Sequence, residues 1–179
     1  LESFLSDIVD GLQTRYDIQT CYTNDAATIE SIIRWADVVW LEWANELAIA
    51  LTGNPALLQD KQVICRLHSY EAFAGYAHKI KWEVLDDLVF VAGHIKDVVL
   101  SQTPDIVNRV PRIHVVPNGI NLDTFVFKER ARGWNLAFLG NINYKKGPLL
   151  LLHAFRALVE ADERYHLFVG GNFQDGRYV

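Results

Sequence analysis

Lys145 and Lys146 stand where a short apolar run hands over to a helix. Residues 134–139 read as a buried strand, because the run is short and apolar. Gly140 ends it, and residues 141–146 form a polar loop. Gly147 and Pro148 then open a helix; proline suits the first turn, where its missing N–H would have no partner anyway. Leu150, Leu151, Ala154, Phe155 and Leu158 form one apolar stripe along that helix. Two ammonium groups therefore gather beside unpaired helix N–H groups and the positive end of a helix dipole. That combination binds anions, and phosphate is the natural guest. The same residues would also make a solvated loop with two surface lysines, and the stretch alone leaves both readings open.

His68, with Ser69, follows the C-terminal end of a second predicted strand, residues 61–67. It is the next catalytic candidate; on its residues alone, a hydrogen-bonded histidine at a sheet edge is the plainer reading. Glu42 and Trp43 follow a third strand. Glu42 could line a cleft, but a solvated loop carboxylate is the simpler expectation. Asn118 and Gly119 follow a fourth. Trp40, Trp43, Trp82 and Trp134 read as core or cleft wall rather than as sugar platforms. His78, His94, His114, His153 and His166 show no metal-ligand spacing, and no metal is expected. No phosphate-binding P-loop, G-x-G-x-x-G loop, G-x-S-x-G elbow or Cys/His nucleophile pattern occurs, and Gly170-Gly171 is at most a tight turn.

The elements that must position these residues alternate along the chain. Helices are expected over residues 1–14, 24–35, 46–51, 71–84 (as one helix or a broken one) and 95–100. Strands are expected over 17–22, 37–41, 61–67, 87–91, 112–116, 134–139 and 166–169. The strands are mostly continuous apolar runs, which points to a parallel sheet covered on both faces. The expected fold is therefore α/β, a Rossmann-like doubly wound parallel sheet, with ligands beyond the C-terminal strand ends.

The 179 residues are half apolar and 22% charged, enough to bury a core. A net charge of -5 without a basic block argues against nucleic acid as a partner. No apolar stretch is long enough to span a membrane. Two cysteines, Cys21 and Cys65, both on predicted strands, are no disulfide framework, so a reducing cytoplasm is expected. A boundary falls near residues 119–133: a domain over 1–122, a charged linker over 123–133 and a second block over 134–179. That block, one strand-helix-strand unit, is too small to bury a core by itself. The chain is expected to be a fragment lacking the first strand of one domain and the rest of another.

VPNGINLDTF (116–125), LAFLGNINYKKG (136–147), the Leu/Ala/Phe helix after it and HLFVGG (166–171) together resemble the glycogen-synthase-like retaining glycosyltransferases of GT-B fold. VICRLHS (63–69) resembles the strand that this family ends with a histidine at the interdomain cleft, and DLVFVAGHIKDVV (87–99) its strand-helix unit before the linker. The resemblance implies most of an acceptor-side domain plus the first βαβ of a donor-binding domain. It implies a nucleotide-diphosphate sugar as donor, a glycan, lipid or small molecule as acceptor, and no cofactor; a peripheral membrane contact stays open. Lys146 would contact the donor diphosphate, with Lys145, Asn141 and Gly147 beside it. Gly140 would let the backbone approach, His68 would sit beside the transferred sugar, and Asn118 and Gly119 would line the cleft. The family pattern has arginine after the glycine, where this chain has Asn141. The glycine-rich loop after the first strand and the Glu-x7-Glu pair have no counterpart here, so this stretch by itself is expected to be inactive. A non-catalytic sugar- or phosphate-binding module and a GT-B-fold sugar-nucleotide epimerase are the alternatives.

Overall fold

Burial of short apolar runs brings four of the expected strands together in the computed structural model, which describes residues 5–173. The chain divides into two compact units, Leu1–Phe125 and Val126–Val179. In the first, β1 (Val38–Leu41), β2 (Gln62–Leu67), β3 (Asp87–Phe90) and β4 (Arg112–Val115) lie side by side in that order, every pair parallel. The helices of this unit are α1 (Leu5–Gln13), α2 (Ala26–Trp35), α3 (Glu46–Thr52), α4 (Ser69–Phe73), α5 (Gly93–Gln102) and α6 (Ile106–Arg109). Asp25 caps α2 by accepting from the Thr28 N–H at 2.8 Å, and Asn45 caps α3 through Leu47. Residues 71–84 are broken, as α4 and the 3-10 turns Tyr76–His78 and Trp82–Val84, with Gly75 left-handed at φ 75° between the first two. The short α6 and the 3-10 turn Pro55–Leu57 were not anticipated.

The parallel register puts Val39, Leu41, Val63, Cys65, Leu67, Leu88 and Phe90 on one face, and all are buried. Ile33, Ala48, Leu51, Trp82, Ile95, Val99 and Ile106 join them in a single core. The other face carries Val38, Trp40, Gln62, Arg66, Arg112 and His114, of which Val38 and Trp40 are half exposed. The same face carries Arg66 and Asp87, both buried, and Ile64 and Val89, both partly buried. Crossovers are right-handed, so a strand order that never reverses sends each connection to the same side. A second winding would need a strand beyond β1. Residues 17–22 form none: only Ile18 and Cys21 are partly buried there, and no ladder includes the segment. Cys21 is therefore in irregular backbone, and both cysteines are free thiols.

At the N-terminal edge of this sheet Asp87, 6% exposed, holds three neighbours. It accepts from Arg112 Nε (2.8 Å) and Nη2 (2.6 Å), from His114 Nε2 (2.8 Å) and from Gln62 Nε2 (3.2 Å). The Arg112 guanidinium, with His114 and Gln62, holds this carboxyl well below the usual carboxylate range against the opposing effect of burial. A depressed carboxylate adds stability above its unfolded value, about 3.9, and loses it as pH falls through the folded one. Asp87→Asn should therefore lower stability at pH 7 by about 1.5–3 kcal/mol, the weight of a charge-assisted hydrogen bond. The deficit relative to the parent should shrink as the pH falls well below 4 (approximately the unfolded carboxylate value), read by urea unfolding across pH.

In the second unit β5 (Asn135–Leu139) and β6 (His166–Gly170) pair in parallel, joined by α7 (Pro148–Ala161). Ile142 and Pro148 alone are buried among its described residues. Leu150, expected on the apolar stripe, is 76% exposed, and Leu139 is 81% exposed. Two strands and one helix offer too little area to cover both faces of each layer. The Arg164 guanidinium lies 3.7 Å from the centroid of the Trp134 ring, and Tyr165 meets that ring edge-on. No helix among the described residues is long and apolar enough to cross a membrane.

Candidate functional site

Glu42 is the hub of a polar cluster at the C-terminal edge of the first sheet. The register that pairs Leu41 with Cys65 brings Glu42, the next residue, level with Arg66 on the neighbouring strand. Glu42 Oε1 accepts from Arg66 Nη1 at 3.2 Å and lies 2.8 Å from His68 Nε2. Glu42 Oε2 accepts from Trp40 Nε1 at 2.9 Å. Arg66 Nη2 donates to Asn118 Oδ1, which ties in the segment after β4. His68 is N-cap of α4, and its ring stacks on Trp43 with centroids 4.3 Å apart. Arg66 and His68 are 4% and 7% exposed. A buried guanidinium needs a partnered carboxylate nearby, since desolvation otherwise outweighs what folding gains. The solvated-carboxylate expectation for Glu42 is thus corrected. An arginine inside an otherwise apolar strand, beside a carboxylate at the end of the strand before it, was the signal that could have found the pair.

Glu71 lies next to this cluster and is 1% exposed. It stands at the third helical position after His68, where a capping glutamate turns back toward the N-cap. Neither carboxylate oxygen makes a well-formed hydrogen bond. Burial pushes its pKa up, against the backbone N–H groups of Glu71, Ala44 and His68 and the His68 ring, which pull it down. Burial pushes the Cys65 thiol up as well, with the Glu71 and Glu42 charges adding to it, so Cys65 is no nucleophile at neutral pH. A carboxyl whose folded pKa is raised costs stability as pH climbs past its unfolded value of about 4.3. Glu71→Gln should raise the melting temperature at pH 7 relative to the parent. The gain should vanish below the unfolded value, and thermal melts at several pH values would show it.

Lys145 and Lys146 lie in the second unit, in a 3-10 turn (Tyr144–Lys146) that runs directly into α7. The Lys146 N–H donates to Asn143 O at 3.1 Å and Asn143 Oδ1 at 3.2 Å, closing the turn. Gly147 is left-handed at φ 65° and serves as N-cap, a conformation a side chain would strain. Pro148 follows at the first helical position, so the first-turn N–H groups beyond it belong to Leu149 and Leu150. Both lysine side chains and Asn141 are exposed. Gly140 N–H donates to Gly170 O at 3.0 Å, and a Cβ on Gly171 would stand 1.8 Å from Gly140 O. The backbone that approaches Gly140 in this fold is thus that of Gly171, while the space where a Gly140 side chain would point is open.

The candidate residues therefore form two groups. His68, Asn118 and Gly119 belong to the first unit, with Arg66 and Glu42 linking His68 to Asn118. Gly140, Asn141, Lys145, Lys146 and Gly147 belong to the second. No three of His, Cys, Asp or Glu come together as a metal centre would require among the described residues. The chain matches no protein-family model and no curated protein.

Proposed function

We propose that the protein transfers a sugar, with retention, from a nucleotide-diphosphate donor to an acceptor, as a GT-B-fold glycosyltransferase of the glycogen-synthase-like kind. The observation that carries this reading is the strand-turn-helix of the second unit. Two exposed lysines occupy the turn that delivers the chain to a left-handed glycine and a helix N-terminus. Lys146, Lys145 and the first-turn N–H groups would meet the charge that grows on the leaving diphosphate, which is where electrostatic catalysis acts. In the first unit, His68, held by Glu42 and backed by Trp43, is the residue the resemblance assigns to the sugar.

A second reading, a non-catalytic module that binds a sugar or phosphate, has its own support. Asn141 replaces the arginine of the resembled pattern, and His68 is almost wholly covered. Calorimetric titration with nucleoside diphosphates, followed by diphosphate release from nucleotide sugars over a panel of acceptors, separates the two. Binding with release supports transfer, whereas binding without release supports the module. No diphosphate binding at all defeats both as far as Lys146 is concerned.

A further inference from the structure

Residues 126–133, VFKERARG, open the second unit at its boundary with the first. They form no helix, strand or turn, all are exposed, and Phe127 reaches 93%. Their backbone groups bond to no described residue. The other long irregular stretches among the described residues, 17–25 and 116–121, carry neither lysine nor arginine. Residues 126–133 carry Lys128, Arg130 and Arg132. Arg132 is held: its Nη2 donates to the Tyr165 hydroxyl at 3.3 Å, and its guanidinium lies 5.5 Å from the centroid of the Trp134 ring. Lys128 and Arg130 make no hydrogen bond or ion pair. Elsewhere, Arg15, Lys61 and Lys146 are bonded into turns through their backbone N–H groups, and Arg109 and Arg164 hold carboxylates.

We infer that the Arg130–Ala131 bond is a processing site, cut first by an endoprotease selective for arginine. Such an enzyme takes its substrate as an extended strand, bonded through the substrate's own backbone, with one side chain in a specificity pocket. A basic residue in a helix or a closed turn must open before it can be held that way, and opening costs free energy. Residues 126–133 are already unbonded on both sides of Arg130. The planar guanidinium of Arg130 can meet a pocket carboxylate through two donors, where Lys128 brings a point charge and is followed by Glu129. Arg132 would first have to leave Tyr165 and Trp134. In the cut, water adds across the amide, leaving a carboxylate on Arg130 and an amine on Ala131. One hydrolysis thus severs the chain beside the boundary of its two compact units without entering any helix or strand. The products are unequal. Residues 1–130 keep the core of the first unit, whereas 131–179 keep only Ile142 and Pro148 buried among their described residues. The site reaches beyond the transfer reading and does not depend on Lys146.

The whole chain should be treated with trace trypsin under native conditions and followed by intact-mass spectrometry. The first products should be 1–130 and 131–179, formed about tenfold or more faster than any cut at Arg15, Lys61, Lys146 or Arg164, each of which needs local opening. The 1–130 product should accumulate, while 131–179 is degraded further. Ala131→Pro keeps Arg130 and its charge but removes the N–H and fixes the backbone beyond the scissile bond. It should abolish the first cut and leave only slower cuts at Lys128 and Arg132. Thermolysin, which selects bulky apolar residues, should still nick this variant within residues 116–133, showing that the segment stays open to a protease. Arg130→Gln should behave as Ala131→Pro does. A first cut inside either unit, an Ala131→Pro variant cut as fast as the parent, or loss of 1–130 as fast as it forms would each overturn the assignment. Failure of diphosphate binding would overturn the transfer reading and leave this one standing.

Discussion

Glu42→Ala should destabilise the first unit by about 3–5 kcal/mol, the usual cost of removing one partner from a buried ion pair. The reason is Arg66. Its side chain is 5% exposed, and Glu42 is its carboxylate partner at 3.2 Å. Without Glu42 the guanidinium keeps Asn118 Oδ1, a neutral acceptor that cannot balance its charge. His68 and the Trp40 indole lose the Glu42 contact in the same step. Glu42→Gln keeps an acceptor oxygen without the charge and should cost less. Arg66→Met in the Glu42→Ala background should recover part of the loss, because the stranded charge goes with it. Urea unfolding of the parent, Glu42→Ala, Arg66→Met and the double variant gives the coupling energy directly, and contacting pairs range from about 0.5 to 3 kcal/mol. A Glu42→Ala variant within about 0.5 kcal/mol of the parent, as ordinary surface changes are, would mean the pair contributes nothing to the fold.

Lys146→Ala should weaken nucleoside-diphosphate binding by about one to two decades, the equivalent of roughly 1.5–3 kcal/mol for a charge-assisted hydrogen bond. Transfer should slow further, since charge on the leaving diphosphate grows in the transition state. The effect should fade at high salt, because an exposed ammonium is screened. Melting should scarcely change: the lysine is exposed, and its backbone N–H, which closes the turn onto Asn143, is kept in alanine. Lys145→Ala is the matched control and should cost less, unless it supplies the charge that Asn141 does not. Calorimetry at low and high salt reads both variants. If Lys146→Ala binds as tightly as the parent, Lys146 is a solvated turn residue and the phosphate-site reading fails.

Alternation of apolar runs with capped helical stripes made the four parallel strands legible, because each run of β1 to β3 is long enough to declare itself. Residues 17–22 misled because a six-residue segment with Ile18, Cys21 and Tyr22 has strand-like local preferences whether or not a neighbour exists. Strand formation is decided by pairing, which is not local. The one-sided core was hidden for a related reason. β2 looks buried on both faces because Arg66 is buried too, paired with Glu42 and Asn118. At the candidate site, His68, Asn118 and Gly119 could be placed at strand ends from the order of elements. Glu42 could not be assigned, since its burial depends on which strand lies beside β1 and in what register. Glu71 gives no sequence signal beyond its distance from His68; only the packing of α4 shows its carboxyl to be enclosed.

Asp87 and Glu42 sit at opposite ends of one sheet, and each spans more than one strand. Asp87 clasps residues from β2 and β4 to β3, and Glu42 and Arg66 join β1 and β2 to the segment after β4. Sheets ordinarily fray from the ends, where hydrogen bonds have water on one side. Here both ends are tied crosswise, so separating one strand means breaking charged contacts to the others as well. Local opening should thereby cost nearly as much as global opening, with the four strands exchanging as one cooperative unit. The polar cluster at the C-terminal edge is, for the chain's backbone amides, half of a clamp against partial unfolding.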